Sequence, residues 1–418
     1  MSQSVLYTII LIFYIIFCVN NGLTQYNDGV LNDRIQNVFG NSRGNTKNVN
    51  RGGFGEIVLP EPENISPTQA PQVINTNGQI CKCVPYWMCE PSNNPTTSTT
   101  DSRFFGEIDV RFNPQTCQDV LDVCCTPNRE TNEVIVPPKP PLSVQQPTGC
   151  GIRNVNGIDF SLAGNLHNEA GFGEFPWTVA LLSQHTECLC GGSLIHPSVV
   201  LTGAHCVFNI TSRDLKIRAG EWDTQTTKER LPYQERDIQS IIIHPEFNSK
   251  SLANDVAILI LDQPVTLDQH INVICLPSQG YFSNSQSCFA SGWGKDVFGK
   301  EGKYSVIMKK VQLPMVPFHS CQSSLRKTRL GSRFNLHHSF VCAGGEPDID
   351  TCQGDGGSPL VCPVGIASDN RYVQIGAVAW GIGCRDALPA VYTNIALFRD
   401  WIDQHVQQYG FDSSIYSY

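Results

Sequence analysis

Six cysteines crowd into forty-five residues: Cys81, Cys83, Cys89, Cys117, Cys124 and Cys125. A stretch that short cannot bury enough apolar surface to hold a fold by itself, so disulfides must staple it. The whole chain of 418 residues carries 18 cysteines, and their spacings are not those of zinc sites. An oxidising compartment is the reading that follows. Spacing alone leaves the connectivity of the six open.

The N-terminus agrees with that compartment. Val5 to Val19 reads VLYTIILIFYIIFCV, too short for a spanning helix of about 20 residues. It fits the core of a signal peptide over residues 1–24, cut near Asn20 to Gln25, with an uncleaved anchor as the alternative. Cys18 would leave with it, so the mature chain holds an odd number of cysteines and one thiol needs an explanation. No second apolar stretch exists, which excludes a polytopic membrane protein and leaves no membrane partner. The formal net charge is -9 with no long Lys/Arg run, which argues against nucleic acid as a partner.

Texture divides the rest. Residues 25–80, rich in Asn, Gly, Gln and Pro, read as a polar low-complexity arm. The cysteine block, 81–125, is followed by a linker over 126–149 that contains VPPKPP and should be extended. From 150 to 408, short β-rich runs (WTVALL, VAILIL, VQIGAVAW) alternate with turns, as in a sandwich or barrel. Phe398, Trp401, Ile402 and Val406 recur at helical spacing and predict a C-terminal helix. Residues 409–418 read as a tail. Sequons stand at Asn64 (NIS) and Asn209 (NIT), candidate glycosylation sites in a secreted chain.

Three segments carry chemistry: LTGAHC at 201–206, NDVAILIL at 254–261 and CQGDGGSPLVC at 352–362. GEFPWTVAL, CGGSLI, SGWG and VAWGIGC surround them in order. As an ordered set they resemble the chymotrypsin-fold serine protease family over residues 150–408. The resemblance implies a mainly β, two-barrel domain with a C-terminal helix. It also implies His205 as general base and Asp255 as the carboxylate that orients it. The nucleophile position, however, is Gly356, which has no side chain with which to form an acyl-enzyme. Ser358 is two residues away, roughly 5–7 Å along an extended chain. Catalysis tolerates about 1 Å of misplacement, which sets Ser358 aside as a substitute.

Other family positions depart too. Gly164-Asn165-Leu166-His167 stands where active members carry Ile-Val-Gly-Gly, and Ala163 precedes it where Arg or Lys is cut. Asp355 should then lack its N-terminal ammonium partner, leaving a zymogen-like oxyanion hole. The serine that helps hold the triad Asp is Ala379. His205 and Asp255 read as packed remnants, with residual catalysis or metal binding as the alternative. Asp350 matches the base of a trypsin-like specificity pocket whose other marks are Gly381 and Ala390, the latter where glycine is usual. It reads as a vestigial pocket, or as a receiver for a partner's Arg or Lys. No cofactor is required by this reading. Calcium is an optional ligand at the loop flanked by Glu221, Asp223 and Glu235, which binds it in some members.

The pattern C-x-C-x5-C…C-x6-C-C resembles a clip domain, the disulfide-knotted module that precedes arthropod haemolymph serine proteases. That likeness implies Cys81–Cys124, Cys83–Cys117 and Cys89–Cys125. In the larger domain it implies Cys150–Cys275, Cys190–Cys206, Cys288–Cys362, Cys321–Cys342 and Cys352–Cys384. Cys188 is left over, either a free surface thiol or a bond to a second chain. With glycine at the serine position, the chain is similar to the non-catalytic clip-domain protease homologues of insects. These imply a secreted haemolymph cofactor, working with an active clip-domain protease and prophenoloxidase toward melanisation. They are cut within the clip domain, which here means after Arg103 or, alternatively, Arg111, and homo-oligomers after cleavage are a further expectation. Two competing functions remain: a weakly active trypsin-like endopeptidase, and a clip domain that binds microbial surfaces.

Overall fold

The computed structural model describes residues 72–74, 80–90, 107–109, 117, 121–131, 149–163, 168–184, 188–295, 304–346, 355–366, 369–383 and 387–418. The clip module is a three-stranded antiparallel sheet of β1 (Gln72–Ile74), β2 (Ile80–Pro85) and β4 (Asp122–Cys125), in the order β1-β2-β4. The stretch read as a polar arm therefore contributes a strand, because Gln72–Ile74 pairs antiparallel with Ile80–Lys82. Three disulfides take the place of a core: Cys81–Cys124, Cys83–Cys117 and Cys89–Cys125, the pairing that the resemblance implies.

A second contact leaves the module. β3 (Glu107–Asp109), from the long loop between Cys89 and Cys117, pairs in parallel with β5 (Ser161–Ala163) of the larger domain.

In the larger domain, β6 (Thr178–Ser183), β7 (Cys188–His196), β8 (Val199–Thr202), β9 (Leu215–Ala219), β10 (Gln234–Ile243) and β11 (Ala257–Leu261) close into a barrel. The burial of every residue of β11 matches its unbroken apolar run, AILIL. Leu259 and Ile260, for instance, are both fully buried, one on each face of β11. A seven-stranded antiparallel sheet follows, made of β12 (Cys288–Gly292), β13 (Lys309–Leu313), β14 (Met315–Val316), β15 (Phe340–Gly344), β16 (Pro359–Pro363), β17 (Tyr372–Trp380) and β18 (Pro389–Asn394). Its order is β13-β12-β16-β17-β18-β15-β14. The two edge strands are consecutive in sequence and break at Pro314, which has no N–H to donate to a ladder. Its carbonyl still accepts from Gly344, at 2.9 Å, so the sheet curls into a second barrel-like layer.

Among the described residues, three short α-helices complete the domain. α1 (Ala204–Val207) presents His205, and α2 (Phe318–Arg326) is tied to β15 by Cys321–Cys342. α3 (Arg399–Gln408) buries Ile402 and Val406, two of the four residues whose spacing predicted it. The last ten residues fold back as well: Tyr416 is fully buried, donates to Asp403 (2.8 Å), and its carbonyl accepts from Leu276 N–H (2.9 Å). Cys150–Cys275, Cys190–Cys206 and Cys288–Cys362 complete the disulfides of the described residues. Cys352 and Cys384 lie outside them.

Candidate functional site

The site forms where the barrels meet. β8 ends at Thr202, and Gly203 enters α1 in extended conformation, so His205 falls in the first turn. Asp255 precedes β11, fully buried. Its Oδ2 meets His205 Nδ1 at 2.6 Å, and its Oδ1 accepts from the His205 backbone N–H at 2.7 Å. Burial opposes charge on the imidazole, yet the Asp255 charge and hydrogen bond outweigh it, and the His205 pKa stands above its ordinary value. Ala379, buried in β17, offers the carboxylate no hydroxyl. Cys190 and Cys206 lie beside the imidazole, but their disulfide leaves no thiolate to share a metal with His205.

Gly356 faces His205 directly. A methyl carbon placed on it would lie 2.6 Å from His205 Nε2 and 3.4 Å from Cys190 Sγ. The imidazole thus occupies the space that a serine side chain needs. Ser358 is no replacement: it is buried, its Oγ packs against the backbone of Gly191 and Gly292, and that oxygen has no hydrogen-bond partner among the described residues. Asp355 turns toward the SGWG turn, where its Oδ1 accepts from Gly294 N–H at 2.8 Å. A His–Asp pair of this kind can move a proton, but no side-chain oxygen stands at the reacting position.

The remaining expectations divide. Ala390 is buried in β18 opposite Ala343, and Gly381 follows β17. Asp350, Arg103, Arg111 and Asn64 lie outside the described residues, whereas Asn209 is exposed. Cys188, left open between a free surface thiol and a bond to a second chain, is a free thiol in this single chain. It is half-buried opposite Leu182, and burial, with the charges of Asp355 and Glu221, pushes its thiol up to about 12. A thiol so rarely ionised is a poor nucleophile.

The calcium set does not fit. Glu235 sits opposite Arg218 in the β9–β10 ladder. The buried Arg218 guanidinium reaches Glu235 Oε1 and Glu221 Oε2, each at 2.8 Å, and Lys216 takes the other Glu235 oxygen. A cationic side chain thus already stands between these two carboxylates. The acid that joins Glu221 is Glu229, which the sequence did not single out; its Oε1 accepts from Asp223 N–H at 3.0 Å. Burial raises the pKa of both, Glu221 to about 7, and their mutual repulsion adds to the rise at Glu229.

The sign of the pH effect follows. A carboxyl whose folded pKa is raised lends stability that is full below its unfolded value and is lost as pH rises through the folded one. Glu229→Gln keeps the acceptor and cannot ionise. In chelator-containing buffer, denaturant titrations should find it more stable than the parent chain at pH 8, with the difference vanishing at pH 4.

Sequence also missed how the two modules join. Tyr86 donates to Asp159 Oδ2 (2.8 Å), and Arg230 grips the same carboxylate through Nη2 (2.7 Å) and Nε (3.0 Å). Trp87 Nε1 donates to the Lys228 carbonyl (2.9 Å), and Lys228 Nζ pairs with Asp122 (2.7 Å). Tyr86 stacks edge-on against Phe160, which meets Trp222. Tyr86-Trp87 is the available signal, an adjacent aromatic pair in a module too small to have a core of its own.

Two β-barrel layers with His205 and Asp255 at their junction, preceded by a three-disulfide knot, define a protease-like domain with an N-terminal clip. The chain belongs to the trypsin family of serine proteases: the Trypsin profile matches residues 166–402, and that of the serine protease clip domain PPAF-2 matches 70–126. It is 51% identical to phenoloxidase-activating factor 2 of Galleria mellonella over 70% of this chain and all of the relative. It is 38% identical to inactive CLIP domain-containing serine protease A8 of Anopheles gambiae over 78% of this chain and 88% of the relative. It is also 38% identical to inactive CLIP domain-containing serine protease A3 of Aedes aegypti, over 79% and 68%.

Proposed function

We propose that the protein is a secreted, catalytically inactive clip-domain serine protease homologue that serves as a cofactor in phenoloxidase activation. The carrying observation is the closure of His205 on Gly356, with only 2.6 Å left for a side-chain carbon. It argues against a weakly active protease more strongly than the missing oxygen alone, since the base has taken the place of the nucleophile. The buried, unpartnered Oγ of Ser358 argues the same way. The names of the relatives support both halves of the reading, since one is called an activating factor and two are called inactive. The disulfides and the apolar N-terminal stretch support secretion.

With no triad to work through, function resides in rigid surfaces that hold other proteins, here an active clip-domain protease and prophenoloxidase. Regulation acts at the long clip loop. Arg103 and Arg111 lie on either side of β3, and a strand held in a ladder does not readily enter a protease cleft. We favour Arg103, which follows a Ser/Thr/Asn-rich run. The test is reconstitution from the purified full chain, a trypsin-like enzyme to cut it, an active clip-domain protease and prophenoloxidase. Phenoloxidase activity should require the cut chain and persist when His205 is replaced by Ala. Loss of activity in His205→Ala, or full activation without the chain, rejects the cofactor role. Unchanged cleavage in Arg103→Gln moves the cut to Arg111.

A further inference from the structure

We propose that Asn209 carries an N-linked glycan whose first sugar rests on the exposed ring of Phe208, which the half-buried Phe247 backs. Asn209-Ile210-Thr211 meets the acceptor rule. Asn209 lies exposed in the turn after α1, and no hydrogen bond holds its amide among the described residues. Beside it, Phe208 leaves 43% of its surface in water, one of eight large hydrophobic side chains exposed among the described residues, and the one next to a sequon. The ring is not loose: it meets Phe247 edge-on, centroids 5.8 Å apart. Phe247 packs on the barrel core, and its N–H donates to the His244 carbonyl at 2.9 Å.

The occupant of this platform is the sugar attached to the next residue. A pyranose has an apolar face of C–H groups that lies flat on an aromatic ring. Attachment one residue away makes the contact intramolecular, so a weak interaction is enough to populate it. In the transfer, the bond between sugar C1 and a phosphate oxygen of a lipid-linked oligosaccharide pyrophosphate breaks. A C1–Nδ2 bond forms, the amide loses one proton, and the lipid pyrophosphate leaves. The glycan would stand four residues along the chain from His205.

The proposal rests on the reading of the chain as secreted, and the experiment separates the two. The full chain is expressed in insect cells, and medium and cells are analysed apart. Retention inside the cells overturns secretion and, with it, the glycan. In chain recovered from the medium, amidase release of glycans in heavy-oxygen water should convert Asn209 to labelled aspartate, and unmodified Asn209 overturns the proposal. The platform is tested by a double-mutant cycle of Asn209→Gln and Phe208→Ser, which leaves Asn64 unchanged throughout. Asn209→Gln should lower Tm by about 2–4 °C with Phe208 present and leave it unchanged in the Phe208→Ser background. Equal drops in both backgrounds reject the platform.

Discussion

Gly356→Ser will not restore proteolysis, and it will destabilise the protein. The new side chain enters a space in which His205 Nε2 lies 2.6 Å from its first carbon. The imidazole cannot yield freely, because Asp255 holds both its ring and its backbone N–H. Overpacking of this kind costs about 1–3 kcal/mol. Relief by swinging His205 away would separate the base from the hydroxyl it should activate. Gly356→Ala makes the same clash without a hydroxyl and should lose as much stability as the serine variant, which separates sterics from chemistry. Neither the parent chain nor Gly356→Ser should turn over an arginine ester or react with a fluorophosphonate. Turnover by Gly356→Ser would reject this account of the site. Labelling of the parent chain that disappears in Ser358→Ala would instead identify Ser358 as a working nucleophile.

The parts of the site legible in the sequence are those carried by contiguous motifs. LTGAHC and NDVAILIL place His205 and Asp255, and the structure brings them within 2.6 Å. GDGGSP marks the missing nucleophile, but the approach of His205 to Gly356 depends on how two barrels pack and has no local signature. The acidic loop shows the same limit. Glu235 looks like a partner of Glu221 when read along the chain. The antiparallel register of β9 and β10 sets it opposite Arg218 instead, and Glu229 takes the inner position. Tyr416 was invisible for a different reason. The tail YGFDSSIYSY spaces its aromatics at neither a helical nor a strand period, and only the groove beside Asp403 and Leu276 explains why Tyr416 is the buried one. Cysteine connectivity needed the family resemblance, since spacing alone leaves many pairings open.

Arg230→Ala should be the most destabilising single change at the junction of the clip and the barrel. Asp159 is fully buried, and its charge is met by the Arg230 guanidinium and the Tyr86 hydroxyl, which also accepts from Arg230 N–H at 3.3 Å. Removing one partner of a buried pair leaves an uncompensated charge, a loss of about 3–5 kcal/mol. Tyr86→Phe removes one hydrogen bond and keeps the ring against Phe160, for about 1–3 kcal/mol. A double variant, Arg230→Met with Asp159→Asn, removes the charge altogether and should recover much of the loss, as a merely misfolded Arg230→Ala would not predict. Chemical denaturation of the four proteins measures this, and an Arg230→Ala cost below that of Tyr86→Phe would show that the pair does not hold the junction. The consequence reaches the proposed switch. Because Tyr86, Trp87 and Leu121 are packed into or against the core of the larger domain, a cut in the loop between Cys89 and Cys117 need not release the clip. Cys83–Cys117 and Cys89–Cys125 also span the cut, so reducing gels should separate two fragments that stay together without reductant. On the proposed reading, a cut there would alter the β3–β5 ladder while the clip keeps its seat against the larger domain, so the two modules would remain one surface after cleavage.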